Sequence, residues 1–217
     1  MSDIFHEVDE EVRREQLKKL FDRYGTYMIA AAVLIVAAIG AWRGYDWWQA
    51  KQAAEAGAAF EVAIGLSEAG KHAEAEAAFT KIAAAGSSGY RVLARLRAAG
   101  ELAPGDRKQA VQAYDELAAD PSLGRTLQDL AAVRAGMLLV DSASLEEMRR
   151  RLELLAEPNR AFRHAARELL ALAAWRIGDA AAARRYIDMI ATDAETPAGT
   201  RARVEVLSAL ITADGKS

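Results

Sequence analysis

Residues 70–82 read GKHAEAEAAFTKI and residues 105–117 read GDRKQAVQAYDEL. The letters differ, but the spacing is shared. Gly70 is followed at +5 by Ala75, at +9 by Phe79 and at +12 by Ile82, and Gly105 is followed at the same steps by Ala110, Tyr114 and Leu117. Steps of four and three trace one face of an α-helix, so each copy reads as a helix that opens just after its glycine. The small residue lets a second backbone approach, the aromatic fills the space beyond it, and the glycine makes the turn from the helix before. A fainter copy keeps Met148, Leu152 and Leu155, and a fourth keeps Ala182, Tyr186 and Met189, with Gly178 one residue nearer. From Ala75 to Ala110 to Met148 to Ala182 the spacings are 35, 38 and 34 residues.

That period is the one at which tetratricopeptide repeats pair two antiparallel helices. A single pair cannot bury its own apolar face, so pairs stack and share one core. The expected fold is all-α, with a TPR-like α-solenoid of about four degenerate helix pairs. The first helix of each pair is expected at 59–66, 90–102, 127–140 and 162–175. Pro121, Pro158 and Pro197 each fall between pairs, where a helix has to stop. Residues 201–212, RARVEVLSALIT, make a short last helix over the open end. In this scheme Gly70, Ala75, Phe79, Gly105, Ala110, Tyr114, Leu152, Ala182 and Tyr186 are packing residues, and Trp175 joins the aromatics in the core.

Upstream, residues 23–48 read RYGTYMIAAAVLIVAAIGAWRGYDWW. No charge lies between Arg23 and Arg43, which leaves 19 uncharged positions at 24–42. At about 1.5 Å per residue this is roughly 28 Å of helix, against a hydrocarbon core of about 30 Å. Tyr24 and Tyr27 stand at one end, Trp42, Tyr45, Trp47 and Trp48 at the other, and Met28, Leu34 and Ile39 lie between them. Membrane–water interfaces select amphipathic aromatics at both ends of a span, whereas a buried core helix has no reason to carry them. A secretory signal needs a short basic leader, but this leader carries Glu7, Asp9, Glu10, Glu11, Glu15 and Asp22. The segment therefore reads as a membrane anchor. Arg13, Arg14, Lys18, Lys19 and Arg23 precede it, and only Arg43 and Lys51 follow closely. The positive-inside rule then puts the N-terminus in the cytoplasm and the bulk of the chain across the membrane.

The expected plan is a cytoplasmic leader helix at 1–25, an anchor at 26–48 and a helical repeat domain at 49–217. In the leader, Ile4, Phe5, Val8, Val12, Leu17, Leu20, Phe21 and Tyr24 recur at helical spacing on one face. Gly25 marks the expected joint with the anchor.

Little in the chain points to chemistry. The formal net charge is −3, far from the basic field that nucleic acid binding requires. The absence of cysteine excludes disulfides and thiolate metal sites. His6, His72 and His164 are scattered, with no second ligand at helical spacing, so no metal or cofactor is expected. There is no glycine-rich phosphate loop and no nucleophile beside a base, which argues against an enzyme. Two arginine stripes stand out: Arg91 with Arg95, and Arg160 with Arg163 and Arg167. Each shares a helix face and is a candidate for gripping an acidic peptide or a terminal carboxylate.

A charged helix, a single span, the sequence GAWRGYDWWQ and degenerate TPR-like repeats together resemble the YfgM-like family, the ancillary subunits of the bacterial SecYEG translocon. Residues 17–49, from LKKLFDRYG to WRGYDWWQ, carry the specific part of the likeness. The resemblance implies an inner-membrane protein with a periplasmic TPR-like domain. Its implied partners are translocon subunits and a periplasmic chaperone or prolyl isomerase, and it transfers no catalytic residue. The rival readings are a membrane-tethered scaffold for another envelope or cell-division complex, and a lipid carrier.

Overall fold

The computed structural model describes residues 3–86 and 88–214. Among these residues the chain is helical throughout, with two short 3-10 turns and no strand. It divides into two compact units, Met1–Ala54 and Glu55–Ser217. The division falls six residues beyond the expected boundary at 48.

Helix α1 runs from Asp3 to Glu68 without a break. The sequence reading placed a joint at Gly25 and a separate helix at 59–66, but the backbone stays helical through both. The reason is energetic. An interior glycine costs a helix only about 1 kcal/mol relative to alanine, and the first proline of the chain is Pro104. The leader positions Ile4, Phe5, Val8, Val12, Leu17, Leu20 and Phe21 lie on helical backbone, but their side chains lie outside the described residues.

In the second unit the last turns of α1 are followed by α2 (His72–Ala85), α3 (Ser88–Glu101), α4 (Arg107–Ala119), α5 (Gly124–Leu139), α6 (Leu145–Leu152), α7 (Arg163–Arg176), α8 (Ala180–Ala191) and α9 (Ala198–Asp214). The second helices of the pairs begin at capping side chains. Asp106 accepts from the Gln109 N–H at the start of α4, and Asp179 does the same for Ala182 at α8. Ser144 accepts from the Glu147 N–H at α6, with glutamate in the third helical position. At α2 the turn uses Gly70 instead, whose φ of +72° lies in the left-handed region.

The spacing read from the two clear copies matches the buried faces. Ala75 and Phe79 are fully buried, and Phe79 meets Phe60 of α1 edge-on with ring centroids 5.1 Å apart. Ala110, Tyr114 and Leu117 are buried on α4. In the third copy Met148 and Leu152 are buried on α6, which then tightens into a 3-10 turn over Glu153–Ala156 that carries Leu155. Gly136 of α5 makes room there: a Cβ on it would lie 2.9 Å from Leu152 Cδ1.

Two expectations need correction. In the fourth copy Ala182 and Tyr186 are buried, but the last core position is Ile190 rather than the half-buried Met189. Gly178 sets a register one residue later, with Ala183, Ile187 and Ile190 all buried. Trp175 is not in the core. It is 36% exposed at the last turn of α7, whose buried face is Ala166, Leu169, Leu170, Ala173 and Ala174.

Candidate functional site

In the first unit the apolar stretch has its side chains outward. Tyr24, Tyr27, Met28, Leu34, Ile39, Trp42, Tyr45, Trp47 and Trp48 are all exposed. Among the described residues one helix is long and apolar enough to cross a membrane, and its apolar window is only 6% buried. A core helix of similar composition is mostly covered by its own protein, so the uncovered window is compatible with a membrane span. Both ends carry cations over aromatic rings. The Arg23 guanidinium lies 5.9 Å from the Tyr24 ring centroid, and the Lys51 ammonium lies 5.7 Å from that of Trp47. Gln49 Nε2 also donates to the Tyr45 hydroxyl at 2.7 Å.

In the second unit a cavity of 380 Å³ opens between α3 and α5, with α4 behind it. Leu93, Leu96 and Arg97 of α3, Leu130 and Arg134 of α5, and Tyr114 of α4 line it. Arg97 and Arg134 are exposed and form no ion pair among the described residues. Tyr114 is 6% exposed, packs against Gly100 and makes no hydrogen bond among the described residues. Burial raises the pKa of its phenol, and the nearby charges of Arg134 and Arg97 oppose the rise. Glu101 also reaches the cavity, but its carboxylate is occupied. Ser67 Oγ donates to Oε1 at 2.6 Å, and His72 Nδ1 meets Oε2 at 2.8 Å. The cavity therefore offers two unpaired cations beside aliphatic surface.

A second cavity, of 490 Å³, lies beside Val140, Leu172 and Trp175. Its cation, Arg176, is spent on the carbonyls of Val140 and Ala143. What remains there is an apolar rim with the exposed Asp141 carboxylate beside it.

The arginine stripes picked out by spacing behave differently from the cavity pair. Arg91 is exposed. Arg95 donates to Asp120 Oδ2 at 2.7 Å, and Asp120 also accepts from Ser122. Those bonds, Ser122 first and Arg95 next, hold the Asp120 carboxyl down at about 2. Arg160 donates to the buried Asp129 at 2.6 Å. Arg163 and Arg167 both donate to Asp193 Oδ2, at 2.7 and 2.9 Å, with His164 Nε2 at 3.1 Å from the same oxygen. Arg167 is only 3% exposed and donates further to the carbonyls of Ala156 and Met189. Asp193 is held well below the usual carboxylate range, chiefly by Arg163, with the Glu195 N–H, Arg167 and His164 adding to it. Arg160, Arg163 and Arg167 thus tie α7 and the turn before it to α5 and to the end of α8, and they present no open face for a ligand.

Sequence reasoning missed Arg97 and Arg134, although a signal was there. Arg97 precedes Ala110 by 13 residues and Arg134 precedes Met148 by 14, so both stand at about the same place in successive repeats. Leu93 and Leu130 each lie four residues before them, on the same helix face. Among the described residues no group of three or more His, Cys, Asp or Glu is placed to hold a metal ion.

A family model described as tetratricopeptide repeat-like domain matches residues 18–205. The match begins before the apolar stretch and runs through the helix pairs into α9. No curated protein and no solved structure matches the chain significantly.

Proposed function

We propose, from the premise that the chain belongs to the tetratricopeptide repeat-like domain family, that it is a membrane-anchored, periplasm-facing protein-binding subunit accessory to the Sec translocon and its chaperone network. Stacked helix pairs of this kind serve as surfaces for other proteins. The observation that carries the anchoring half is the apolar window of α1, long enough to span and almost wholly uncovered. Aromatic rings at both of its ends, each with a cation above, suit the two interfaces. The excess of Lys and Arg before the span supports a cytoplasmic N-terminus and a repeat domain across the membrane. The likeness of residues 17–49 to YfgM-like ancillary subunits supports the translocon as the assembly served. Partners on this reading are translocon subunits and a periplasmic chaperone or prolyl isomerase.

The test is mild crosslinking in native membranes, detergent purification and mass spectrometry of what comes with the protein. Translocon subunits with a periplasmic folding factor, near stoichiometric, are the expected result. Envelope-assembly or division proteins in their place would leave a membrane scaffold standing and remove the translocon role.

A further inference from the structure

The cavity between α3 and α5 is built from chemistry that the packing of the helices does not consume. Leu93, Arg97 and Gly100 share one face of α3, while Leu130, Arg134 and Met137 share one face of α5. Leu93 and Met137 are exposed, at 48% and 51%. Elsewhere in this unit several arginines are committed to carboxylates: Arg95 to Asp120, Arg160 to Asp129, Arg163 and Arg167 to Asp193, Arg203 to Glu168. Arg97 and Arg134 have no such partner among the described residues; both border the cavity and lie close enough to the Tyr114 phenol to act on it. The one carboxylate in the lining, Glu101, is turned to Ser67 and His72. Two guanidinium groups and a free hydroxyl facing one space make a receptor for an anion with oxygen acceptors. The aliphatic side chains around them favour an anion that carries apolar neighbours.

We infer that this cavity docks an acidic segment of a protein partner, with one Glu or Asp carboxylate held between Arg97 and Arg134 and the flanking aliphatic side chains resting on Leu93, Leu96 and Leu130. Apolar surface lies on both sides of Arg134 along α5, Leu130 before it and Met137 after it. That arrangement suits a chain that continues in both directions, so the carboxylate belongs to a side chain and not to a chain terminus. The Tyr114 hydroxyl supplies a neutral donor to the same anion. The inference rests on the protein-binding role proposed above and names the chemistry that the role would recognise.

Fluorescence anisotropy on the full-length protein in non-ionic detergent tests it. The probes are short fluorescein-labelled peptides blocked at both ends, one with Leu-Glu-Leu at its centre and one with Leu-Gln-Leu. Losing a charged partner of this kind costs about tenfold or more in affinity, so the wild type should prefer the Glu peptide by at least that factor. Adding salt should weaken the Glu peptide more than the Gln peptide. Arg97→Glu with Arg134→Glu should abolish the preference. Arg97→Lys with Arg134→Lys should keep part of it, and unchanged thermal unfolding of both variants excludes misfolding as the cause. Equal binding of the two peptides by wild type would overturn the inference, as would a preference that survives charge reversal. It would also be overturned if inorganic phosphate displaced the Glu peptide as well as unlabelled peptide did. The crosslinking experiment separates the two levels. If the charge-reversed variant keeps the whole wild-type partner set, the cavity is not the docking site and the scaffold role stands. If wild type captures no partner, the scaffold role falls whatever the peptides do.

Discussion

Asp193 shows how single residues hold the last repeat. Its carboxylate, 16% exposed, receives Arg163, His164 and Arg167 of α7 and the backbone N–H of Glu195. Removing it would leave Arg167 buried beside two carbonyls with no counter-charge, a costly state. Its folded-state pKa lies below the ordinary value of 3.8, and Asp120 is also depressed, to about 2. The folded protein therefore binds fewer protons than the unfolded chain below about pH 4. The stability this provides is complete above about pH 4 and is lost as pH falls toward the folded values. Thermal unfolding of the full chain in detergent should drop steeply from about pH 4 to pH 2. Asp193→Asn should start less stable at neutral pH and fall less steeply with acid. A variant whose acid profile runs parallel to wild type would show that the network does not titrate.

At the scale of the element, α6 is the weakest part of the repeat scheme. It has only eight residues before it tightens into a 3-10 turn, and an isolated helix that short does not hold itself. Ser144 and Glu147 are the local devices that start it. Ser144→Ala should cost about 1 kcal/mol in chemical denaturation. A change well below that would mean that burial of Met148 and Leu152 alone sets the start of the helix. This element also marks where the sequence was legible. The helix pairs at Gly70 and Gly105 were readable because their small, aromatic and aliphatic residues face a partner at fixed steps. Gly25 misled because a glycine weakens a helix without ending it. Trp175 misled because it stands at the last turn of α7, where it lines the 490 Å³ cavity instead of the core. The arginine stripes were visible through local spacing, but their carboxylates lie 25 to 32 residues away, beyond what spacing can see. Arg97 and Arg134 passed unnoticed for the opposite reason. They are separated by a whole repeat, and only the fold brings them to one cavity.

The whole molecule joins an uncovered apolar helix to a domain whose own core is already complete. Three apolar clusters, built from residues between Phe60 and Ile211, account for the packing of the second unit among the described residues. If that stretch sits in lipid, the bilayer supplies the burial that the protein does not, and the repeat domain is held near other membrane proteins at high effective concentration. Two central charges decide the matter. Leu34→Arg with Ala38→Arg places guanidinium groups one helical turn apart in the middle of the span. Each costs about 2.5–3.5 kcal/mol on insertion scales, enough to offset much of the gain from the surrounding Leu, Ile and Val. The variant should leave membranes on alkaline extraction while wild type stays behind. Its soluble fraction should keep the helical content and unfolding profile of the repeat domain, because the three clusters lose nothing. It should also lose its crosslinked partners, since binding weak enough to need tethering fails in dilute solution. Retention of the double variant in the membrane would move the anchor away from 26–48. Release with the partner set intact would keep the anchor there and show that the repeat domain binds without help from the bilayer.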